Sequence, residues 1–157
     1  MQVTPQAAVF QFEQEFAGTL RCIPMAVRFK LDQCGVKLSL RQWSRFGPEE
    51  RDRLLGLRCE DAAEIGAYRS ELEQMIQLRS TQQTEYLPVE ADPPWADVSC
   101  VPLPVIQYAA ALQVSPPSPT QWAALSPLQR FALFKLSRAK HDNVNFLPAM
   151  REFGLLD

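Results

Sequence analysis

The chain has 157 residues, 46% of them hydrophobic and 22% charged, with a net charge of −2 and a pI near 5.5. That balance is the one a folded globular chain needs, and it argues against electrostatic binding of nucleic acid, which requires a basic face. No run of about eighteen apolar residues is present to span a membrane. Met1 to Gln6 lacks the charged and apolar regions of a signal peptide, so a cytoplasmic protein is expected.

In chain order, residues 1–9 read as a flexible tail. Phe12, Phe16 and Leu20 are spaced for one helical face, and Phe10 with Phe12 alternates as an extended entry would. Pro24 suits a first turn, so a helix is predicted from there to Cys34, ended by Gly35 in the left-handed conformation. Ile23, Val27, Leu31 and Cys34 share one side of it and Met25 and Phe29 another, both expected to be buried, while Arg28 and Asp32 form an i,i+4 pair on the polar strip. Ser39 caps a short helix carrying Trp43. Gly47-Pro48-Glu49-Glu50 opens the next, with proline in the first turn and acids beside the positive end of the dipole. Asp61 and Glu64 have the spacing of a capping box, and Ile65, Tyr68, Leu72, Met75 and Ile76 recur at helical spacing behind it.

Eight of the thirteen prolines fall between Pro88 and Pro119, which forbids one long helix there. Residues 80–100 read as an ordered connection pinned by Trp95. A helix opening at Pro102 or Pro104 and ending near Gln113 follows, then a loop at Ser115 to Ser118 and a short helix around Trp122. Ser126-Pro127 is a cap followed by a first-turn proline. The helix it opens, Leu128 to Arg138, is apolar nearly all round, with Arg130 and Ser137 as its narrow polar stripe, and is expected to be central and buried. Asn145 to Met150 starts a last helix that ends at Gly154.

The two halves echo one another. Gln42-Trp43 recurs as Gln121-Trp122, and the same offset of seventy-nine pairs Pro48 with Pro127, Arg51 with Arg130, Leu54 with Leu133 and Leu57 with Leu136. The expectation is an all-α fold: a compact helical domain over 10–157 built from two pseudo-repeated multi-helix units. Repeat one covers about 22–79 and repeat two about 101–154, joined by the proline-rich connection at 80–100.

Signals for chemistry are few. Cys22, Cys34, Cys59 and Cys100 form no C-x-x-C pair, so buried free thiols are expected and no metal or cofactor site is read from them. His141 is the one histidine, available as a proton-transfer group or single ligand, but placed beyond a helix C-terminus where a cationic side chain is favoured for structural reasons. Arg130 has the chemistry to grip an anion or a partner carboxylate, or to bind carbonyl groups inside the fold. For Arg51 the structural reading is stronger, although its helix is expected to be exposed. Residues 101–157 carry five bases against three acids. Within them Arg130, Lys135, Arg138, Lys140 and His141 are the best candidate contact surface, with Arg28 as an outlying candidate.

Phe10-Gln11-Phe12-Glu13, Leu20-Arg21-Cys22-Ile23-Pro24-Met25 and Lys30-Leu31-Asp32-x-Cys34-Gly35-Val36-Lys37-Leu38 resemble the N-terminal signature of the cyanobacterial nitrate reductase-associated protein family. Thr120-Gln121-Trp122, Arg130-Phe131-Ala132-Leu133 and Asn145-Phe146-Leu147-Pro148-Ala149 resemble its C-terminal signature, so the resemblance covers residues 10–156. It implies a non-enzymatic accessory factor for the assembly, maturation or stability of assimilatory, ferredoxin-dependent molybdenum nitrate reductase. The catalytic subunit of that enzyme is the implied partner. The resemblance brings no catalytic, cofactor or metal residues with it, so the partner-binding candidates remain Arg28, Arg130, Lys135, Arg138 and His141. Three alternatives stay open: a carrier of molybdenum cofactor or another small anion, a regulator of nitrogen assimilation, and an enzyme using Cys22, Cys34 or His141.

Overall fold

Residues 9–138 and 144–157 are described by the computed structural model, so the predicted tail lies outside the described residues except for Val9, which is buried. Contacts divide the chain into a first unit ending at Glu90 and a second beginning at Ala91. Among the described residues the regular structure is helical apart from one pair of two-residue strands, in agreement with the expected all-α class.

In the first unit a 3-10 turn, Gln11–Glu13, runs into α1, Gln14–Ala17. The face expected from Phe12, Phe16 and Leu20 does not turn inward. Glu13 and Ala17 are the buried members, whereas Phe12 is half-buried and Phe16 exposed. The reason is local: the helix stops at Gly18 and Leu20 takes a positive φ of 59°, so no continuous helical face spans 12 to 20. Glu13 is buried because both carboxylate oxygens accept main-chain bonds, from Phe10 N–H and Met25 N–H at 3.1 Å each. Met25 opens α2, Met25–Cys34, so the carboxylate also sits at the positive end of that helix.

α2 ends where predicted, at Gly35 with φ 72°. Ile23, Val27, Leu31 and Cys34 are buried, but Met25 and Phe29 are only half-buried, so the helix has one inward side rather than two. Arg28 donates to the Ile23 carbonyl at 3.1 Å. After Gly35 the chain forms β1, Val36–Lys37, paired antiparallel with β2, Glu85–Tyr86, and Leu87 N–H donates to the Gly35 carbonyl at 2.9 Å. Nothing in the sequence pattern signals this pair, because two residues cannot display an alternation.

Three helices complete the unit: α3, Leu40–Arg45; α4, Pro48–Gly56; and α5, Ala62–Arg79. α5 packs on α2, α3 and α4 through Tyr68, Leu72, Met75 and Ile76, all buried. Its start is the predicted box: Glu64 N–H donates to Asp61 at 2.8 Å and Asp61 N–H returns to Glu64 at 3.2 Å.

The second unit begins with a 3-10 turn, Pro94–Ala96, followed by α6, Leu103–Ala111; α7, Pro119–Ala124; α8, Pro127–Ser137; and α9, Phe146–Glu152. α8 is the centre of this unit, touching the 3-10 turn, α6 and α9, and Phe131, Ala132, Leu133, Phe134 and Leu136 are all buried. Trp95 is an ordered anchor as expected, buried and edge-on to Phe131 with ring centres 5.8 Å apart. Arg130, part of the narrow polar stripe of this helix, lies inside with 6% of its surface accessible.

At Gly35 two constraints coincide. Its φ is left-handed, and a Cβ there would lie 2.9 Å from both the Leu87 carbonyl oxygen and Val89 Cγ2. Gly35→Ala is expected to lower unfolding free energy by more than ~1 kcal/mol, measured by urea denaturation, because alanine at positive φ destabilises where glycine is free.

Candidate functional site

Each unit is held by one tryptophan and one arginine aimed at main-chain carbonyls. In the first, Trp43 is fully buried and its indole N–H donates to the Leu20 carbonyl at 2.8 Å. The same oxygen accepts from Arg51 Nη1 at 3.2 Å, while Arg51 Nη2 reaches the Ser44 carbonyl at 3.1 Å and the guanidinium carbon stands 6.0 Å from the Trp43 ring centre. Arg51 Nε is the one buried side-chain polar atom, among the described residues, without a hydrogen bond. In the second unit, Trp122 is fully buried and donates to the Asp97 carbonyl at 3.0 Å. Arg130 donates from Nε to the Trp95 carbonyl at 3.1 Å and from Nη1 to the Leu125 carbonyl at 2.5 Å. Burial pushes the Arg130 pKa down from the usual arginine value.

Arg130 therefore does not present a free fork to a partner. Its donors are spent on carbonyls, which is the internal role weighed for it from sequence. Arg51, expected on an exposed helix, is half-buried for the same reason.

Helix starts are equally specific. Ser39 and Ser118 each accept from the N–H of the glutamine three residues on, Gln42 at 3.0 Å and Gln121 at 3.1 Å, and each glutamine side chain accepts from its serine N–H at 2.9 Å. Ser126 and Gln129 make the same reciprocal pair, while at the corresponding place Glu50 alone binds Gly47 N–H, at 2.8 Å. These boxes explain why glutamine precedes each tryptophan: its side chain closes the cap.

The other candidates separate. Lys135 and Arg138 are exposed at the C-terminal end of α8. Each lies over an aromatic ring, Lys135 Nζ 5.4 Å from the centre of Phe131 and the Arg138 guanidinium carbon 5.5 Å from that of Phe134. Such placement orients a cation over an apolar ring. Arg28 is exposed but belongs to the first unit. His141 and Lys140 lie outside the described residues.

Two features escaped the sequence reading. α6 carries Leu103, Ile106 and Ala110 on its exposed side, with Leu103 62% and Ile106 37% accessible. A signal was available, since no charged residue occurs between Asp97 and Arg130. The second is a polar pocket in the first unit lined by Arg41, Gln42, Arg45, Ser80, Thr81 and Gln82. Its two walls are some forty residues apart in sequence, so spacing alone cannot join them.

The titratable interior is structural in character. Lys30 donates to the Leu55 carbonyl at 2.6 Å and Tyr68 to the Leu54 carbonyl at 2.8 Å. Burial lowers the Lys30 pKa and raises that of Tyr68 well above its usual value. Cys34 and Cys59 are buried, with burial pushing Cys59 up to about 11, but Cys22 is only half-buried and Cys100 is exposed, contrary to the uniform burial expected. Among the described residues no group of three or more His, Cys, Asp or Glu is placed to hold a metal ion.

Arg130→Ala is expected to destabilise the protein by about 1–3 kcal/mol in chemical denaturation, because buried carbonyls lose their donors. Lys135→Ala and Arg138→Ala are expected to stay within about 0.5 kcal/mol of the unaltered chain. In alkylation at neutral pH followed by peptide mass analysis, Cys100 should label well before Cys59. Access protects Cys59, and its raised pKa keeps it in the unreactive thiol form. Equal labelling rates in the folded protein would contradict the packing around Cys59.

The family model described as conserved nitrate reductase-associated protein matches residues 9–153. Comparison with curated proteins and with solved structures finds no match.

Proposed function

The chain belongs to the conserved nitrate reductase-associated family, and from that premise we propose that it is a non-enzymatic accessory factor for nitrate reductase. It acts in assembly, maturation or stability by direct contact with the catalytic subunit, in the cytoplasm. The family match across nearly the whole chain carries this reading. The surface of the second unit supports it in chemical terms. α6 offers the apolar patch of Leu103 and Ile106, and the end of α8 offers two oriented cations, Lys135 and Arg138. Protein–protein contacts draw on both apolar and charged residues, and their charges set orientation and association rate more than affinity. Arg130 contributes by holding α8 to the turn beneath it rather than by touching the partner.

The test is co-expression with the reductase. Charge reversal of both exposed cations, Lys135→Glu with Arg138→Glu, is expected to cut recovery of reductase with the tagged chain about tenfold, the equivalent of about 1.4 kcal/mol. The melting temperature should be unchanged. Full recovery of the complex and of reductase activity would remove this surface from the proposal. Affinity capture from nitrate-grown cells that repeatedly lacks the reductase, even after cross-linking, would remove the accessory role itself.

A further inference from the structure

We propose that the polar pocket of the first unit is a binding site for a small tetrahedral oxyanion of the phosphate or sulfate class. One wall is α3, where Arg41 and Arg45 stand four residues apart and so on one side of the helix, with about 5–6 Å between their Cβ atoms. The other wall is the segment leaving α5, Ser80-Thr81-Gln82. The first wall supplies two guanidinium groups within reach of one ligand, and the second supplies the Thr81 hydroxyl and the Gln82 amide.

Three other surface arginines of the unit have their charge balanced by an acid. Arg53 is bonded to Glu71 at 2.7 Å, Arg58 to Glu64 at 2.9 Å, and Arg79 to Glu50 at 3.1 Å. Arg41 and Arg45 are exposed, and among the described residues neither guanidinium has a hydrogen-bond or ion-pair partner. Like charges at this spacing work against the helix that carries them. The C-terminal end of α5 beside them draws cations to the place, yet none of its carbonyls accepts from either arginine. Gln42 between them is buried and committed to the Ser39 cap, which sets the rotation of α3 and keeps both arginines on the pocket side. Planar forks with fixed donors suit an oxyanion carrying two or more oxygens better than they suit a halide. The wall is polar throughout, so an apolar ligand has nothing to bury there.

This inference is independent of the accessory role, since it concerns the first unit and an inorganic ligand. The experiment is a titration of the full chain with inorganic phosphate, and separately sulfate, at constant ionic strength set with chloride, followed by calorimetry and by melting temperature. Constant ionic strength removes general screening from the comparison. Saturable binding with a rising melting temperature is expected, as for any ligand that binds only the folded state. Arg41→Gln and Arg45→Gln should each weaken it at least tenfold without lowering the melting temperature of the free protein. Absence of saturation into the tens of millimolar would overturn the proposal. So would a response retained in the double variant, or an acidic peptide binding at the pocket where phosphate and sulfate do not.

Discussion

Both units depend on the same physical constraint: a main-chain carbonyl outside the α-helices, beside a buried tryptophan, must find a donor. At Leu20 one oxygen takes two, from Trp43 and Arg51, and the residue adopts a left-handed conformation that a leucine ordinarily avoids. In the second unit the carbonyls of Trp95, Asp97 and Leu125 are met by Arg130 and Trp122. A buried tryptophan contributes about 4–6 kcal/mol by area as an upper bound, but only if the polar edge of the ring and the adjacent backbone are satisfied. The arginines extend that satisfaction to carbonyls the indole cannot reach, and a bond to a charged donor contributes more than a neutral one.

From these clamps the rest of each unit is placed. Short helices such as α3 and α7, six residues each, are too short to persist on propensity alone. Reciprocal Ser–Gln caps start them and a buried tryptophan holds them. With α8 fixed through Arg130, its last turn carries Lys135 and Arg138 outward over the rings of Phe131 and Phe134. The same logic in the first unit fixes α3 through Ser39, Gln42 and Trp43 and leaves Arg41 and Arg45 facing the end of α5. The candidate contact surface and the pocket are thus both by-products of how a tryptophan-bearing helix is seated.

Much of this was legible where the physics is local. The Ser39 and Ser126 caps, the Asp61–Glu64 box, the first-turn prolines Pro48 and Pro127, the glycine stop after Cys34 and the all-round apolar character of 127–137 are set within a few residues and appear as read, whereas Pro24 stands one position earlier, at the cap of its helix. The residues matching at an offset of seventy-nine also hold matching local roles: Pro48 and Pro127 open helices, Arg51 and Arg130 bind carbonyls, Leu54 and Leu133 are fully buried. What misled was inference from one face of a short segment. Phe12 and Phe16 looked inward by spacing, but the segment is a turn joined to one helical turn, and the buried position went to Glu13 because two distant N–H groups needed its carboxylate.

The sequence by itself determined the helical class and most of the places where helices begin, because capping, proline geometry and periodic burial act over three or four residues; the family rests instead on the match of the chain's motifs along nearly its whole length. Only the tertiary structure decided that Arg130 is an internal clamp while Lys135 and Arg138 face solvent, that β1 and β2 pair across almost fifty residues, and that Arg41 and Arg45 meet Ser80-Thr81-Gln82 across a pocket. Those outcomes turn on which carbonyls lack donors and which segments approach through space, and neither quantity is written in the spacing of residues along a chain.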